Sequence, residues 1–444
     1  MTDTHSLDAL GDWRRTHSST GISKALDGKS TTFFGWVEDI RDLGGLVFLT
    51  LRDREGTAQI TIVRKKASQQ ILDKVRDLGR QYALGVRGKI RASEEAPKGV
   101  EIIPEEIRIL GEAVHPLPLD PTGRVPADID VRLNNRVLDL RRPETRAIFT
   151  IASRILGETR RFLAGQDFVE VRTPKIIATA TEGGASLFPV EYFENKAYLS
   201  QSPELYKEEL VTVFEKVMEI GPAFRAEESQ TRRHLNEVTM VDVEQAFATA
   251  DDIMTLQEKL LAHLIEDLRK TMQRELELLN VKLETAKIPL KRYTYEQVLS
   301  QLEKRGVKIP FGEDIGTEAY RTLGELHQKE YYFIVDWPTS PKPFYIKPME
   351  DHPSLCHAFD FMYEMLEITS GGSRVDRKEV LVQRLKEQGL DPEDFKHHLA
   401  VYDWGFPPHA GFGMGLERLL MALLALENIR EASLFPRDRY RLTP

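Results

Sequence analysis

Between residues 30 and 110 apolar and polar positions alternate in short runs, at 31–37, 46–51, 58–63, 83–91 and 102–110. A period of two predicts strands that bury one face. Gly44-Gly45 and Gly56 supply turns between the first three runs. Between the third and fourth, Ile71, Val75 and Leu78 recur at helical spacing and predict a helix over 67–78. The pattern then breaks at Pro116, Pro118, Pro121 and Pro126, which cannot continue a helix or a central strand and so mark a connector. Beyond it the period lengthens. Ile148, Ile151, Ile155, Phe162 and Leu163 share one face of a helix over 144–164, and a strand over 168–172 stops at Thr173-Pro174. Further helices are predicted over 206–215, 250–279 and 295–305, and strands over 217–220, 331–336 and 344–348.

Five strands with one helix after the third is the order of an OB-fold, a small barrel whose outer face commonly holds single-stranded nucleic acid. Charge adds little by itself. The 444 residues carry 61 Lys+Arg and 70 Asp+Glu, a net −9, but residues 1–110 hold 18 basic against 16 acidic side chains. A slightly basic small domain on an acidic body is compatible with nucleic-acid binding by the former. A composition of 41% hydrophobic and 30% charged residues fits a multidomain globular chain. The longest apolar run, 419–426, is far too short to span a bilayer, and the polar start lacks the apolar core of a signal peptide. A single cysteine, Cys356, excludes an internal disulfide and a cysteine metal cluster. A cytoplasmic location without a membrane partner is expected.

Gly28-Lys29-Ser30 suggests a phosphate loop, but Ser23 stands where the first glycine is required and no strand leads into it. No dinucleotide fingerprint or zinc-binding helix is present. A nucleotide site would therefore be built from side-chain cations, and three clusters supply the parts. Phe224-Arg225-Ala226-Glu227 ends an apolar run and is followed by Arg232-Arg233-His234. Gly411-Phe412-Gly413-Met414-Gly415-Leu416-Glu417-Arg418 leads into an apolar helix, its alternate glycines permitting close backbone approach and its arginine offering a planar fork to phosphate. Asp360, Glu367 and Ser370 present hard oxygens suited to magnesium bridging phosphates.

In this order, the helix and strand ending at Pro174, the Phe224–Glu227 segment and the 411–418 segment resemble the three defining motifs of class II aminoacyl-tRNA synthetases. Thr181-Glu182-Gly183-Gly184, Gln201-Ser202-Pro203, Arg233-His234-Leu235-Asn236-Glu237 and Phe435-Pro436-Arg437-Asp438-Arg439 are similar to the compact archaeal/eukaryotic-type aspartyl-tRNA synthetases, essentially over the whole chain. The resemblance implies an α+β protein. Residues 1–112 would form an OB-fold anticodon-binding domain, 113–143 a hinge, and 144–444 a class II catalytic domain with an antiparallel sheet flanked by helices and a helical insertion over 248–350. It implies a homodimer joined through the helix and strand ending at Pro174, with ATP, Mg2+, L-aspartate and tRNA(Asp) as ligands.

Residue by residue, the resemblance places Arg225 on the ATP α-phosphate, with Arg418 and His234 at the γ-phosphate end and Glu227, Arg233, Glu367 and Gly415 also around the nucleotide. Asp360, Glu367 and Ser370 match the magnesium residues. Lys207 and Arg374 fall where the family clamps the aspartate side chain, Glu182 and Asp242 where it meets the α-amino group, and Ser202, Glu204 and Ser370 complete that pocket. Asparaginyl enzymes of the subclass lack the lysine. Two positions depart from the pattern: Glu204 replaces the usual glutamine, and Val238 stands where an aromatic stacks on adenine, leaving Phe224 as a substitute. In the barrel, Arg41, Phe48 and Gln59 match anticodon-reading positions. Glu38 and Pro97 match positions that separate enzymes restricted to tRNA(Asp) from those that also charge tRNA(Asn), and Pro97 favours the second, non-discriminating kind. An asparagine–tRNA ligase and a non-catalytic tRNA-binding paralogue are the alternatives.

Overall fold

The computed structural model describes residues 7–178, 187–228 and 231–444. The chain divides after Pro126 into two compact units.

The first unit is a closed barrel. Its strands are β1 (Ser30–Asp42), β2 (Leu46–Arg52), β3 (Thr57–Val63), β4 (Ala83–Ala92) and β5 (Val100–Gly111), in the order β1-β2-β3-β5-β4. Alternation sends Phe33, Val37, Val47, Leu49, Leu51, Ile60 and Ile62 into the core. Helix α1 (Gln69–Arg76) lies between β3 and β4, capped by Ser68 Oγ accepting from Ile71 N at 3.3 Å, and contributes Ile71 and Val75 to that core. The predicted strands and helix are all present, the helix two residues shorter at each end.

The second unit opens with α2 (Ile129–Asn134), α3 (Arg136–Asp139) and α4 (Pro143–Ala164). The sequence reading extended the connector to residue 143. Instead, residues 127–143 fold with the second unit, because Arg136 is buried and donates to the carbonyls of Leu434 (2.8 Å) and Ser433 (2.6 Å) and to Asp139 Oδ2 (2.7 Å).

The chain continues through β6 (Val169–Glu170), β7 (Ile176–Ile177), β8 (Pro189–Tyr192), β9 (Asn195–Leu199), α5 (Glu204–Phe214), β10 (Lys216–Phe224) and β11 (Glu237–Ala246). Helices α6 (Ala250–Thr271) and α7 (Gln273–Leu278) follow, where one helix over 250–279 was expected; the backbone leaves helical geometry at Met272. Next come β12 (Lys291–Thr294), α8 (Tyr295–Glu303), α9 (Thr317–Leu326), β13 (Tyr331–Pro338), β14 (Leu355–Tyr363) and β15 (Leu366–Ser373). Helices α10 (Lys378–Glu387) and α11 (Lys396–Tyr402), strand β16 (His409–Gly415) and α12 (Leu416–Leu424) complete the unit. Residues 248–350, expected as a helical insertion, thus also contribute β12 and β13 to the main sheet. The strand expected over 344–348 is reduced to isolated bridges at Ile346 and Pro348, since Pro341, Pro343 and Pro348 offer no N–H to a ladder.

The described residues form an eight-stranded sheet in the order β12-β13-β14-β15-β16-β11-β10-β6, antiparallel except for its outermost pairs. One face packs on α4, α6 and α12 through Val241, Val243, Phe412 and Met414. On the other face α5 lies against β10 and β11. Cys356, in β14, is buried with its thiol donating to the Trp337 carbonyl at 3.4 Å, and burial pushes its pKa up to about 11. Among the described residues no helix is long and apolar enough to cross a membrane.

Arg136→Ala should cost about 3 kcal/mol, because it leaves buried carbonyls and Asp139 without their principal donor. A urea midpoint unchanged from the parent would show that these bonds do not anchor the C-terminal segment.

Candidate active site

Strand β11 carries two stripes. Val241 and Val243 enter the helical core, while Met240, Asp242 and Glu244 face the α5 side. In register with the second stripe on β16 lie Gly415, Gly413 and Gly411. The glycines make room for the acids. A Cβ at Gly411 would collide with the Glu244 carboxylate and the Val243 carbonyl, and one at Gly413 would lie 3.1 Å from Asp242 Oδ1.

Across these acids stand two buried cations. Lys207, 1% exposed on α5, places Nζ 2.8 Å from Glu204 Oε2, 3.2 Å from Asp242 Oδ1 and 3.5 Å from Glu244 Oε2, and donates to the Phe412 carbonyl at 3.3 Å. Arg374, 2% exposed at the end of β15, donates Nε and Nη2 to the two oxygens of Glu244, each at 3.1 Å, and sets Nη2 2.6 Å from Glu204 Oε1. Its guanidinium also lies 5.2 Å from the centre of the Tyr345 ring. Burial works against both positive charges, yet the surrounding carboxylates outweigh it and hold both pKa values above their ordinary ones. The lysine is therefore not a helix-surface residue, and both cations converge on Glu204 and Glu244.

Behind this cluster Glu208 meets the Nε2 atoms of His398 (3.3 Å) and His409 (3.7 Å). Against the effect of burial, the two imidazoles draw Glu208 down to about 2, and Glu208 with Glu209 raises His398 to about 9.

A cavity of about 250 Å3 extends from the cluster over the sheet. Ser202, Glu204, Asp242, Ser370 and Arg374 line one part of it, and Arg225, Glu227, Arg233, His234, Glu367, Gly415 and Arg418 another. Ser202 Oγ accepts from Glu204 N at 3.1 Å, fixing the start of α5. Arg418 donates to the Glu367 carbonyl at 2.8 Å, Arg233 to the Met365 carbonyl at 3.3 Å, and His234 Nδ1 pairs with Thr231 Oγ1 at 2.6 Å. Asn236 Nδ2 donates to the carbonyls of Arg225 (2.7 Å) and Glu227 (3.2 Å), shaping the loop that carries them. Burial, then the nearby Arg418 and Arg233, lower the His234 pKa despite Glu227, so charge at this end resides on the arginines.

Asp360 is the cross-strand partner of Ser370. Its Oδ2 accepts from Lys342 Nζ at 2.7 Å, and its buried Oδ1 has no hydrogen-bond partner. Burial, partly offset by Lys342 and reinforced by Glu367, pushes its pKa up to about 6. An orphaned carboxylate oxygen beside a second carboxylate and a hydroxyl fits a magnesium donor set. Among the described residues no group of three or more His, Cys, Asp or Glu side chains is placed to hold a metal.

The sequence profile of the tRNA synthetases class II (D, K and N) matches residues 128–439, and that of the OB-fold nucleic acid binding domain matches 31–110. The chain belongs to the class II tRNA synthetases. The aspartate–tRNA(Asp/Asn) ligase of Archaeoglobus fulgidus is 47% identical over 95% of this chain and 98% of its own length. The aspartate–tRNA(Asp) ligase of Pyrococcus abyssi is also 47% identical, over 97% of this chain and all of its own. The crystal structure of asparaginyl-tRNA synthetase from Pyrococcus horikoshii complexed with asparaginyl-adenylate matches with a TM-score of 0.92 at 32% identity, covering 97% of this chain and 100% of that one.

Within this synthetase, Glu182 lies outside the described residues. Val238 lines the cavity, but Phe224 does not: it lines a separate hollow with Phe188 and Leu199, because it falls one residue past Ala223, the register partner of Val238, and so points to the opposite face. Phe224 is thus no substitute for a ring on adenine. Glu244, Lys342 and Tyr345 were not anticipated. Glu244 had one sequence signal, its spacing of two from Asp242 on the same strand; Lys342, flanked by Pro341 and Pro343, had none.

In the barrel of the synthetase, Arg41 pairs with Phe48 across β1 and β2, and Thr50 with Gln59 across β2 and β3. Phe48 is half-buried beside the core positions Val47 and Leu49, so it belongs to the outer face. Arg41 is exposed, and Gln59 donates to Glu101 at 3.1 Å. Gln59 and Pro97 line one small hollow; Glu38, on β1, is not part of it.

Gly411→Ala should displace Glu244 from Arg374 and cost about 2 kcal/mol, whereas Gly415→Ala, whose Cβ would meet only Arg418 at 3.8 Å, should stay within about 0.5 kcal/mol. Thermal melting of both variants checks the contrast.

Proposed function

We propose that this synthetase is an aspartate–tRNA ligase that charges tRNA(Asp) and also tRNA(Asn), acting as a cytoplasmic homodimer. The observation that carries the reading is the convergence of buried Lys207 and Arg374 on Glu204, which with Arg374 lines a cavity whose other part is lined by Arg225, Arg233 and Arg418. A substrate carboxylate can take the place of Glu204 on both cations, a charge-assisted contact that a neutral side chain offers only weakly. The names of the relatives from Archaeoglobus fulgidus and Pyrococcus abyssi support aspartate, and the first supports both tRNAs.

In this reading the aspartate side chain meets Lys207 and Arg374, and its ammonium meets Asp242. The α-carboxylate oxygen attacks the α-phosphorus of ATP, and pyrophosphate departs to leave aspartyl-adenylate. Arg225 neutralises the charge that grows on the α-phosphoryl oxygens, while Arg418, Arg233 and neutral His234 hold the departing pyrophosphate. Asp360, Glu367 and Ser370 would hold Mg2+, which when bound adds neutralisation of phosphate charge. The terminal 3′-hydroxyl of tRNA then attacks the aspartyl carbonyl, and AMP leaves. Positioning supplies much of the acceleration in both steps. On the outer barrel face Arg41, Phe48 and Gln59 suit phosphate contact, base stacking and hydrogen bonding to the anticodon. Dimerisation through α4 and the strand ending at Pro174 draws support from Val169, 41% exposed on β6, a strand at the edge of the sheet.

One observation favours asparagine instead: Glu204 already engages both cations. ATP–pyrophosphate exchange separates the two readings. Aspartate should support exchange, and Lys207→Leu should abolish it while sparing ATP binding; stronger exchange with asparagine, or unchanged aspartate kinetics in the variant, rejects the clamp. Purified tRNA(Asn) should accept aspartate; failure there, with tRNA(Asp) charged normally, restricts the enzyme to tRNA(Asp).

A further inference from the structure

Glu204 is the first residue of α5, is 3% exposed, and spends its two carboxylate oxygens on the two cations assigned above to the substrate. The groups facing it can be enumerated. Its own helix supplies Lys207 and Glu208, β11 supplies Asp242 and Glu244, and the end of β15 supplies Arg374. His398 on α11 and His409 on β16 face Glu208, and Lys342, across the cavity, is taken by Asp360. Between Lys207 and Arg374 on one side and Glu204, Asp242 and Glu244 on the other, the cluster already holds one carboxylate more than it has cations. A substrate side-chain carboxylate entering the same space is matched by the substrate ammonium on Asp242, so the excess of one carboxylate persists while Glu204 and the newcomer compete for the same two cations. Buried carboxylates that share a site do not all remain ionised; one takes a proton.

The surroundings single out which one. Glu244 is held by two parallel hydrogen bonds from Arg374, a geometry that needs both of its oxygens charged. Asp242 accepts from Lys207 at 3.2 Å and is the partner assigned to the substrate ammonium. Glu208 lies between two imidazoles and is drawn far down. Glu204 differs: its contact with Arg374 is close but not aligned as a hydrogen bond, leaving Oε1 without one. Burial, only partly countered by Arg374 and Lys207, already pushes it up to about 8.

The geometry points to proton-coupled recognition: aspartate binds with Glu204 protonated, the proton being drawn from solvent wherever Glu204 is still charged, Lys207 and Arg374 pass from Glu204 to the substrate carboxylate, and the neutral Glu204 carboxyl donates its O–H to that carboxylate. No other bond forms or breaks. Glu204 is on this account a positioning residue that sets amino-acid affinity according to pH. Neutral, it acts as a glutamine would; charged, it is a built-in competitor for the clamp. The inference rests on the aspartate reading above. The sign follows from which form binds. Protonated Glu204 is the competent form, so affinity is full below its pKa in the free protein and falls as pH rises through it.

The test is the KM for aspartate in ATP–pyrophosphate exchange from pH 6.5 to 9.0, for the parent and Glu204→Gln. In the parent KM should stay level to near pH 8 and be roughly tenfold higher at pH 9.0 than at pH 7.0, with no matching change in kcat. In Glu204→Gln it should stay within about twofold throughout. Parallel profiles, both flat or both rising, overturn the coupling. Calorimetry of the parent with aspartate at pH 9.0, in two buffers of different ionisation enthalpy, gives an answer that does not depend on the variant folding. Uptake of nearly one proton supports the coupling, and no uptake overturns it. If neither protein activates aspartate at any pH while both bind ATP, the substrate reading itself fails, and the coupling falls with it.

Discussion

Two cations and three carboxylates, all withdrawn from water, organise the centre of the catalytic unit. Moving Lys207 and Arg374 into the interior is costly, and the cost is met only because Glu204, Asp242 and Glu244 surround them at 2.6–3.5 Å. Such a cluster tolerates the loss of neither cation, since removing one strands buried carboxylates. It therefore fixes the distances among α5, β11, β15 and β16 more strictly than apolar packing does, and the cavity inherits that rigidity. A site that distinguishes side chains by charge needs its own charges held still beforehand.

The glycines of β16 are the backbone's contribution to that arrangement. Carboxylates as long as Glu244 cannot lie against a neighbouring strand that carries side chains at the paired positions. Removing the Cβ at Gly411 and Gly413 opens a shallow trough in which the acids rest and from which they reach the cations. The same segment then turns into α12, where Arg418 is tethered to the Glu367 carbonyl. One short stretch of chain thereby reaches both the Lys207–Arg374 cluster and the arginine-lined part of the cavity, and this explains why glycines and arginine are so closely spaced along it.

How far the sequence could be read depended on what each residue has for a neighbour. The barrel was legible because β-branched and aromatic residues alternate with polar ones in every strand, and α4 because five apolar residues hold one helical face. Most of the candidate site was legible through motif resemblance, and Arg225, His234, Asp242, Glu367, Arg374 and Arg418 do line one cavity. What escaped was partnership at a distance. A polar residue within a strand reads as solvent-facing, so Glu244 passed unnoticed although it is fully buried. Lys342 sits in a proline-flanked loop with no period to interpret. Phe224 was misjudged because adjacent strand positions face opposite ways, and the far end of the connector because the carbonyl acceptors of Arg136 lie nearly 300 residues further on.

Cys356 bears on how the molecule can be studied. Its sulfur is sealed in β14 against the Trp337 carbonyl and stays protonated through the neutral range, so thiol-directed reagents meet no reactive native target. A cysteine introduced on the barrel next to Phe48 would carry a fluorophore alone, and RNA contact at that surface could be followed optically without first building a thiol-free background.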